Sequence, residues 1–339
     1  MSQKLRRGIF SVIGFLILIL DSRTALEGGI AGVRVCLMQV IPSLLPFFVL
    51  SILLGASFTG ADIPLLRPIG KLCRMPKGSE NLLLIGLLGG YPAGAQSISQ
   101  AYQSGQLNQR DARRLLGFCN NAGPAFLFGI AAMVFEYAWL PWALWLIHIC
   151  SALLTGILLP GSSASSVRLP SGKPMSLPDA LQIAVSILSK VCAWIVIFRI
   201  IQAFLEKWLL WLFPTEIRVM VIGVMELANG CIALPGIADL GLRAVLCSLF
   251  LALGGLSVTM QTLSVAAPLS LDLYIPGKCM QVGISSLLTL LMVVFCLPES
   301  NLTANAPVYI LLLAAFLGIF ALVLRKYEKN SSIIAPVRV

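Results

Sequence analysis

The segment that decides the fold is Asn81-Leu-Leu-Leu-Ile-Gly-Leu-Leu-Gly-Gly-Tyr-Pro-Ala-Gly-Ala-Gln-Ser-Ile-Ser-Gln-Ala-Tyr102. It is long and apolar, but Gly89-Gly90 and Pro92 interrupt its middle. The glycines let the chain reverse, and Pro92 suits the first turn of a new helix because it has no N–H to leave unpaired. We therefore predict that residues 81–102 form a re-entrant helical hairpin, two short helices that enter a membrane and turn back.

A second apolar stretch, residues 219–240, is interrupted in the same way. Asn229-Gly230 and Pro235-Gly236 break it. We predict that this stretch is a second re-entrant hairpin.

The composition requires a membrane. The chain has 339 residues, of which 58% are hydrophobic and 11% are charged, and its mean hydropathy is +0.93. Soluble domains carry about 25% charged residues, so a soluble globule, a disordered chain and a nucleic-acid-binding protein are excluded. The predicted membrane spans are residues 6–26, 36–57, 115–135, 139–160, 180–205, 244–267, 279–297 and 308–324.

The Lys and Arg residues predict the topology, because cytoplasmic loops of membrane proteins are rich in them. If both hairpins return to the side they enter from, the cytoplasmic cations are Lys4, Arg6, Arg7, Arg67, Lys71, Arg74, Lys77, Arg110, Arg113, Arg114, Arg168, Lys173, Lys278, Arg325, Lys326, Lys329 and Arg338. The opposite side then holds only Arg23, Arg34, Lys207, Arg218 and Arg243. Both termini are predicted to be cytoplasmic. A full crossing by residues 81–102 would place its two basic flanks on opposite sides, against this bias.

The order of elements indicates an internal repeat. Each half has a broken hairpin followed by two spans, and Ser151-Ala-Leu-Leu-Thr155 matches Ser285-Ser-Leu-Leu-Thr289. One extra span separates the units, so the repeat is inverted, as in many secondary transporters. The fold class is therefore an all-α polytopic membrane protein with about eight transmembrane helices and two re-entrant hairpins in an inverted repeat. The predicted divisions are a two-helix segment (1–60), a first repeat (61–160), a cytoplasmic linker (161–178), a connecting span with the second repeat (179–300), and a last span with a basic tail (301–339).

The predicted substrate-binding residues lie at the interruptions in both halves, where Asn120 or Asn121 is expected to cap the helix that starts at Pro124. Broken backbone at membrane depth is tolerated where it is buried in protein or lines a wet cavity, and half-helix N-termini favour anions. The candidates are Gly90, Tyr91, Pro92, Gly94, Asn120, Asn121, Glu226, Asn229, Gly230, Gly254, Gly255, Ser257 and Gln261. The alternative is that each kink only lets helices pack closely.

Charged residues inside predicted spans are the candidates for neutralising or coupling a charge. Lys190, Arg199 and Glu226 form this set. A lysine or arginine there neutralises an anion, pairs with Glu226 or reaches toward the membrane surface. Glu226 is interpreted either as a site for a coupling cation or proton or as a structural ion-pair partner. His148 is interpreted as a packed, hydrogen-bonded side chain rather than a proton relay.

Enzymatic chemistry finds no support in the sequence. No HExxH, GxSxG or Walker sequence occurs, and no CxxC pair is present to bind zinc. We expect a protein that is not an enzyme, with no catalytic residues, no bound metal and no cofactor, driven by a proton or sodium gradient if it is coupled at all. The expected partners are a small-molecule anion and the lipid bilayer, without nucleic acid, and a homo-oligomer is left open.

Several motifs resemble a known family. They are Ile41-Pro-Ser-Leu-Leu-Pro-Phe-Phe-Val-Leu-Ser51, Gly89-Gly-Tyr-Pro-Ala-Gly-Ala95, Leu115-Leu-Gly-Phe-Cys-Asn-Asn-Ala-Gly-Pro-Ala-Phe-Leu-Phe-Gly129, Gly223-Val-Met-Glu-Leu-Ala-Asn-Gly230 and Gly254-Gly-Leu-Ser-Val258. The chain resembles the YlbJ-type sporulation integral membrane proteins of the nucleoside-recognition (Gate) domain group, whose order of elements is similar to the core of concentrative nucleoside transporters. The resemblance implies a role in endospore formation and export of dipicolinic acid, a planar aromatic dianion, from the mother cell across the outer forespore membrane.

Three functions are compatible with these observations. The first is a secondary transporter of a small organic anion, with dipicolinic acid as the first candidate, in the bacterial cell membrane or the outer forespore membrane. The second is a nucleoside-type carrier, for which Lys190 and Arg199 would be dispensable. The third is a membrane scaffold that transports nothing and is needed for spore formation.

Overall fold

The computed structural model describes residues 3–58, 63–161, 167, 175–297 and 300, and the single positions 310 and 318. Within these ranges the secondary structure is helical, without a β-strand. The predicted span 308–324 and most of the linker 161–178 lie outside the described residues.

The helices follow one another closely along the chain. They are α1 (Gln3–Leu20), α2 (Ser22–Val35), α3 (Ile41–Phe58), α4 (Arg67–Leu72), α5 (Glu80–Leu88), α6 (Ala93–Gln103), α7 (Gln109–Leu116), α8 (Pro124–Gly129), α9 (Leu140–Leu158), α10 (Leu177–Trp208), α11 (Thr215–Met225), α12 (Leu227–Ala233), α13 (Leu240–Leu253), α14 (Gly255–Ala266) and α15 (Tyr274–Cys296).

The chain has the helices that a polytopic membrane protein needs. Five helical stretches in the described part of the chain are long and apolar enough to cross a membrane: Ser22–Phe58, Leu140–Leu158, Leu177–Trp208, Leu240–Ala266 and Tyr274–Cys296. The all-helical class and the membrane location predicted from composition are thereby supported.

The N-terminal boundaries differ from the prediction. The first helix ends at Leu20 rather than at residue 26, and residues 22–35 form α2 instead of the end of a span and a loop. The cause is Asp21, whose side chain accepts a hydrogen bond from the Thr24 N–H and caps a new helix. A π-helical turn, Cys36–Val40, then joins α2 to α3 in one 37-residue helical stretch.

Two predicted spans are interrupted rather than continuous. The stretch 115–135 contains the end of α7, a non-helical segment at 117–123, and α8, which starts at Pro124. The stretch 244–267 is divided at Gly254, where the backbone is left-handed with φ of +73°. Proline at a helix start and left-handed glycine at a helix end are the usual reasons for such boundaries.

Both interrupted apolar stretches fold back on themselves. A Cβ added at Gly94 in α6 would lie 3.0 Å from the Gly86 Cα in α5, so these helices touch although the glycines are eight positions apart. Gly230 in α12 approaches Gly223 in α11 in the same manner. The order of helix pair, broken helix and long helix therefore occurs twice, as α5–α9 and as α11–α15.

Helix α10 stands between the two sets and packs closely against α2. A Cβ added at Gly28 would lie 2.9 Å from the Ala203 Cβ, and one added at Gly32 would lie 2.9 Å from the Val196 Cα. Small residues at a helix contact allow this approach of two backbones. The pair α2 and α10 forms a close-packed brace, against which α3 also rests.

Ion pairs tie the two sets together at two places. Arg113 in α7 pairs with Asp272, which precedes α15, and Arg243 in α13 pairs with Glu136, which precedes α9, at 2.9 Å. Each pair joins residues that the predicted topology places on one side of the membrane, which is consistent with the side-by-side arrangement of the halves.

Candidate functional site

The helix interruptions meet around a small cavity of about 40 Å³. Gly90 and Tyr91 line it from the turn between α5 and α6, while Glu226 and Ala228 line it from the turn between α11 and α12. Gln261 contributes from α14. Apolar side chains also line it, among them Val40 of the π-helical turn, Leu44 and Phe48 of α3, and Val191 and Ile195 of α10. The structure thus brings the turns of both hairpins to one place.

A wider cleft of about 350 Å³ adjoins this cavity. The two spaces share Phe48, Gly89 and Tyr91 as lining residues. The cleft follows α6 through Gln96 to Gln100 and is closed on the far side by Ile183 and Ile187 of α10, with Gly55, Ala56 and Met175 near its outer end. It therefore runs along the first hairpin from the ends of α3 and α10 to the hairpin turn.

Tyr91 stands where the cleft meets the cavity. Its side chain is buried, and its hydroxyl donates to the carbonyl oxygens of Leu251 and Ala252 at 3.2 and 3.4 Å. These carbonyls lie in the last turn of α13, where the break at Gly254 leaves backbone acceptors without helical partners. Tyr91 thereby connects the first hairpin turn with the break in the second half.

Asn120 and Asn121 are fully buried in the segment before α8. The Asn120 side chain accepts from the Ala95 N–H at 3.2 Å and donates to the Thr262 hydroxyl at 3.0 Å. Asn121 donates to the Phe118 carbonyl at 2.7 Å. The prediction that one of them caps α8 is wrong: Gly123 is the N-cap, and Asn120 instead satisfies the first turn of α6. Pro92 precedes α6 as its N-cap.

Lys278 is the charged residue nearest these asparagines. The topology prediction places it in a cytoplasmic loop, which the structure contradicts: it lies in α15, and only 1% of its surface is exposed. Its Nζ donates to the Gln281 Oε1 at 2.7 Å, the Tyr91 hydroxyl at 3.2 Å and the Asn121 Oδ1 at 3.3 Å. Gln281 also donates to Asn121, at 2.9 Å.

Glu226 begins α12. It is the N-cap, its carboxylate accepts from the Asn229 N–H at 2.6 Å, and 3% of its surface is exposed. Asn229 is itself buried, and its Nδ2 has no hydrogen-bond partner among the described residues. Gln261 donates to the Ser257 hydroxyl at 3.2 Å one turn earlier on α14.

Lys190 and Arg199, predicted to neutralise charge at the site, lie elsewhere on α10. Arg199 pairs with Glu206 at 2.8 Å, and the Lys190 side chain is exposed. Neither lines the small cavity, whose wall on this helix is made by Val191 and Ile195. Of the alternatives considered for Arg199, pairing with Glu226 does not occur, because its carboxylate partner is Glu206, seven positions further on the same helix.

The remaining predicted glycines bring backbones together. Gly94 and Gly230 sit in the hairpin contacts, and a Cβ added at Gly94 would also lie 3.1 Å from the Asn120 Cα. Gly254 and Gly255 both have positive φ, +73° and +77°. A Cβ at Gly254 would lie 3.2 Å from the Tyr91 Cζ, so this break directly adjoins the side chain that separates cleft from cavity.

His148 is packed as predicted. It is buried, and its Nε2 accepts from the Ala122 N–H at 3.2 Å. It supports the non-helical segment before α8 from the side of α9.

Sequence reasoning missed Lys278 and Gln281, although a signal for them is present. Lys278, Gln281, Ser285 and Thr289 follow one another at helical spacing, and all are buried. Starting the predicted span at residue 279 left Lys278 one position outside it. The helix in fact begins at Tyr274, with Pro276 accommodated in its first turn.

No family model matches the chain, and no solved structure matches it. A match is found with the sporulation integral membrane protein YlbJ of Bacillus subtilis (strain 168), which is 36% identical over 118 residues. The match covers 33% of this chain and 28% of the relative's length. This similarity supports the YlbJ-type proteins as relatives of the chain, and with the five membrane-length helices it supports a multi-pass integral membrane protein.

Proposed function

We propose that the chain is a secondary transporter of a small organic anion that acts in spore formation, with dipicolinic acid as the first candidate substrate. The sporulation role comes from the partial similarity to the YlbJ protein. The transport activity is argued from the geometry of the cleft and the helix interruptions.

The observation that carries the proposal is that the cleft adjoins the cavity, with Phe48, Gly89 and Tyr91 lining both. A cleft of about 350 Å³ follows the first hairpin to its turn, and the cavity beyond it is lined by the turn of the second hairpin. A carrier needs a path from one face to a central site that both halves enclose. A scaffold has no use for such a path.

The two helix pairs fit this role as re-entrant hairpins of an inverted repeat. Interrupted helices at membrane depth occur where backbone lines a cavity, and transporters of this kind bind their substrates there. The interruptions before α6, α8 and α12 line the cavity, and the one between α13 and α14 adjoins Tyr91. The order of elements and the two ion pairs, Arg113–Asp272 and Arg243–Glu136, support the pairing of the halves.

A neutral, nucleoside-type solute is the second candidate, and one observation favours it. The polar residues that line the cleft are Ser51, Tyr91, Gln96, Ser97 and Gln100, and none carries a charge. Hydroxyl and amide groups suit ribose and base edges as well as a carboxylate.

Uptake by purified protein in sealed vesicles tests the proposal. Radiolabelled dipicolinate and uridine are compared, each with and without an imposed proton or sodium gradient, and empty vesicles are the control. Saturable dipicolinate uptake that uridine does not compete for supports the anion transporter. Uridine uptake alone supports the second candidate, and uptake of neither contradicts transport.

The re-entrant arrangement has its own test. Lys77 and Ser104 flank the first hairpin and are exposed, so each is replaced by cysteine in a variant that lacks the exposed Cys150 and Cys296. A membrane-impermeant thiol reagent is expected to reach both new cysteines from the same side of sealed vesicles. Labelling from opposite sides would show that residues 81–102 cross the membrane.

A further inference from the structure

The ammonium of Lys278 has a complete set of hydrogen bonds but no opposite charge. Its three partners are the Gln281 and Asn121 side-chain oxygens and the Tyr91 hydroxyl, all neutral. No carboxylate of the described residues lies within 4.0 Å of its Nζ, although Arg113, Arg199, Lys207 and Arg243 each have one. Lys278 therefore differs from the other cations that the protein pairs.

The hydrogen-bond partners of this lysine favour its charged form. The Tyr91 hydroxyl donates its one hydrogen to the Leu251 carbonyl, so toward Lys278 it can only accept. The amide oxygens of Asn121 and Gln281 are acceptors as well. Three acceptors around one nitrogen match the three N–H groups of the charged ammonium.

A buried charge without a counter-charge is costly inside a membrane protein and marks a functional site by default. The rings of Tyr91 and Tyr274, with centroids 5.2 and 5.9 Å from the Nζ, supply weak cation–π attraction. This attraction and the three neutral oxygens hold the ammonium in place without cancelling its charge. Among the described residues, no anion lies within 4.0 Å of the ammonium to neutralise its charge.

The ammonium contacts a side chain that lines both the cleft and the cavity. Tyr91 lines both the cleft and the cavity on one side and bonds the Lys278 Nζ on the other. Rotation of this one side chain would expose the ammonium to the space in which a solute arrives. Asn121 and Gln281 would keep the Nζ in position during that exchange.

We propose that Lys278 binds a carboxylate group of the transported solute and that Tyr91 covers it in the empty state. The inference rests on the proposed transport function and narrows it: the site selects aromatic or small carboxylates over neutral solutes of the same shape. Tyr91 yields its place on the Nζ to a carboxylate oxygen, which makes a stronger, charge-assisted hydrogen bond.

Calorimetric binding to the purified full chain in detergent tests this assignment. The probes are dipicolinate and its neutral isostere, pyridine-2,6-dicarboxamide, and the variants are Lys278→Gln, Lys278→Arg and Asn121→Asp. Lys190→Gln is the control, because that lysine is exposed on α10. The wild-type chain and the control are expected to bind dipicolinate at least tenfold more tightly than the diamide.

Lys278→Gln is expected to lose at least tenfold in dipicolinate affinity while its diamide affinity changes less than twofold, and Lys278→Arg is expected to recover part of the loss. Asn121→Asp supplies a carboxylate beside the Nζ. Its second oxygen replaces the amide donor to the Phe118 carbonyl, so we expect a modestly lower melting temperature in a variant that still folds and yet loses dipicolinate binding. A structural role alone would not separate stability from anion affinity in this way.

The opposite results overturn the assignment. If Lys278→Gln binds both probes as the wild type does, or loses both equally, Lys278 is not the carboxylate partner. If the wild type takes up dipicolinate in vesicles and Lys278→Gln does so at the same rate, transport stands and only this inference fails. If the wild type neither binds nor transports dipicolinate, the anion transporter itself is wrong.

Discussion

The two helices that are interrupted near the cavity, α7–α8 and α13–α14, present different polar groups at the break. In the first half, seven residues, 117–123, leave the helix between α7 and α8, and Asn120 and Asn121 lie among them. In the second half, α13 and α14 are separated only by the left-handed turn at Gly254, and Gly255 follows directly. The first interruption carries polar side chains, and the second offers only backbone.

The difference shows where each half places its polar groups. At the first break, the side chain of Asn121 accepts from Lys278 and Gln281. At the second break, the carbonyls of Leu251 and Ala252 accept from a side chain of the other half, Tyr91. The repeat is symmetric in its order of helices, but the polar network is supplied asymmetrically. Substitutions at matched positions should therefore have unequal effects.

Asn121→Leu should show the largest effect. It leaves donors on Lys278 and Gln281 without an acceptor, one of them charged, at a cost of about 3 kcal/mol in the free energy of unfolding. Transport should fall at least tenfold. Asn120→Leu is the comparison, because its partners Ala95 and Thr262 are neutral and its cost should be smaller. Thermal unfolding in detergent and vesicle uptake measure both, and equal losses would contradict a special role for the charged partner.

Gly254→Ala tests the second break. A left-handed conformation costs a residue with a Cβ about 1–2 kcal/mol, and here the new methyl would also lie 3.0 Å from Val258 and 3.2 Å from Tyr91. Gly105 has the same φ of +73° with nothing within 4 Å of the added Cβ, so Gly105→Ala measures the cost of the left-handed backbone alone. We expect a lower melting temperature for Gly254→Ala than for Gly105→Ala. Identical melting temperatures would show that the space beside Tyr91 is not tight.

A smaller difference is expected between two serines at matching positions. Ser285 shares a hydrogen bond of 2.5 Å with Ser248 on α13, whereas Ser151 donates only to a carbonyl of its own helix, His148, at 2.8 Å. Hydrogen bonds between helices in membrane proteins average about 0.6 kcal/mol. Ser285→Ala should therefore lower the free energy of unfolding by about that amount, and Ser151→Ala should lower it by less. A larger loss for Ser151→Ala would reverse the comparison.

The smallest effect concerns the ion pair between the buried Arg243 and the exposed Glu136, which joins the halves. The hydrogen bond from Arg243 holds the pKa of Glu136 below its ordinary value. A carboxyl whose pKa is lowered by folding contributes stability above its unfolded pKa, about 4.3 for glutamate, and loses that contribution as the pH falls through the lowered folded value. The melting temperature of the wild type should thus decline more steeply on acidification than that of Glu136→Gln. Parallel declines would mean that the pair adds nothing measurable.

Much of the fold follows from the sequence because hydropathy and helix breakers report local chemistry directly. Gly89-Gly90, Gly123-Pro124 and Gly254-Gly255 mark interruptions that the structure contains. The boundary at Asp21 was missed because a capping hydrogen bond can end one apolar run and start another without any change in hydropathy. The position of Lys278 was missed because a charge at the edge of a span is indistinguishable, in sequence, from a charge in a loop.

The site was predictable in its residue types and less so in its partners. Tyr91, Asn121 and Glu226 stand out because they are polar or glycine-adjacent residues in apolar surroundings. That Tyr91 reaches Leu251 across 160 residues of sequence, and that Arg199 is held by Glu206, depends on helix packing, which spacing alone does not encode.

The close packing of α2 against α10 affects one wall of the cavity. Through α10 this pair supplies Val191 and Ile195 to the cavity, while the π-helical turn and α3, which pack against it, supply Val40 and Leu44. At Gly28 and Gly32 the backbones of α2 and α10 are in contact, so these helices have little room to move against each other. If the proposed transport takes place, we therefore expect this side of the cavity to stay in place and the opening to come from movement of the helix pairs α5–α6 and α11–α12.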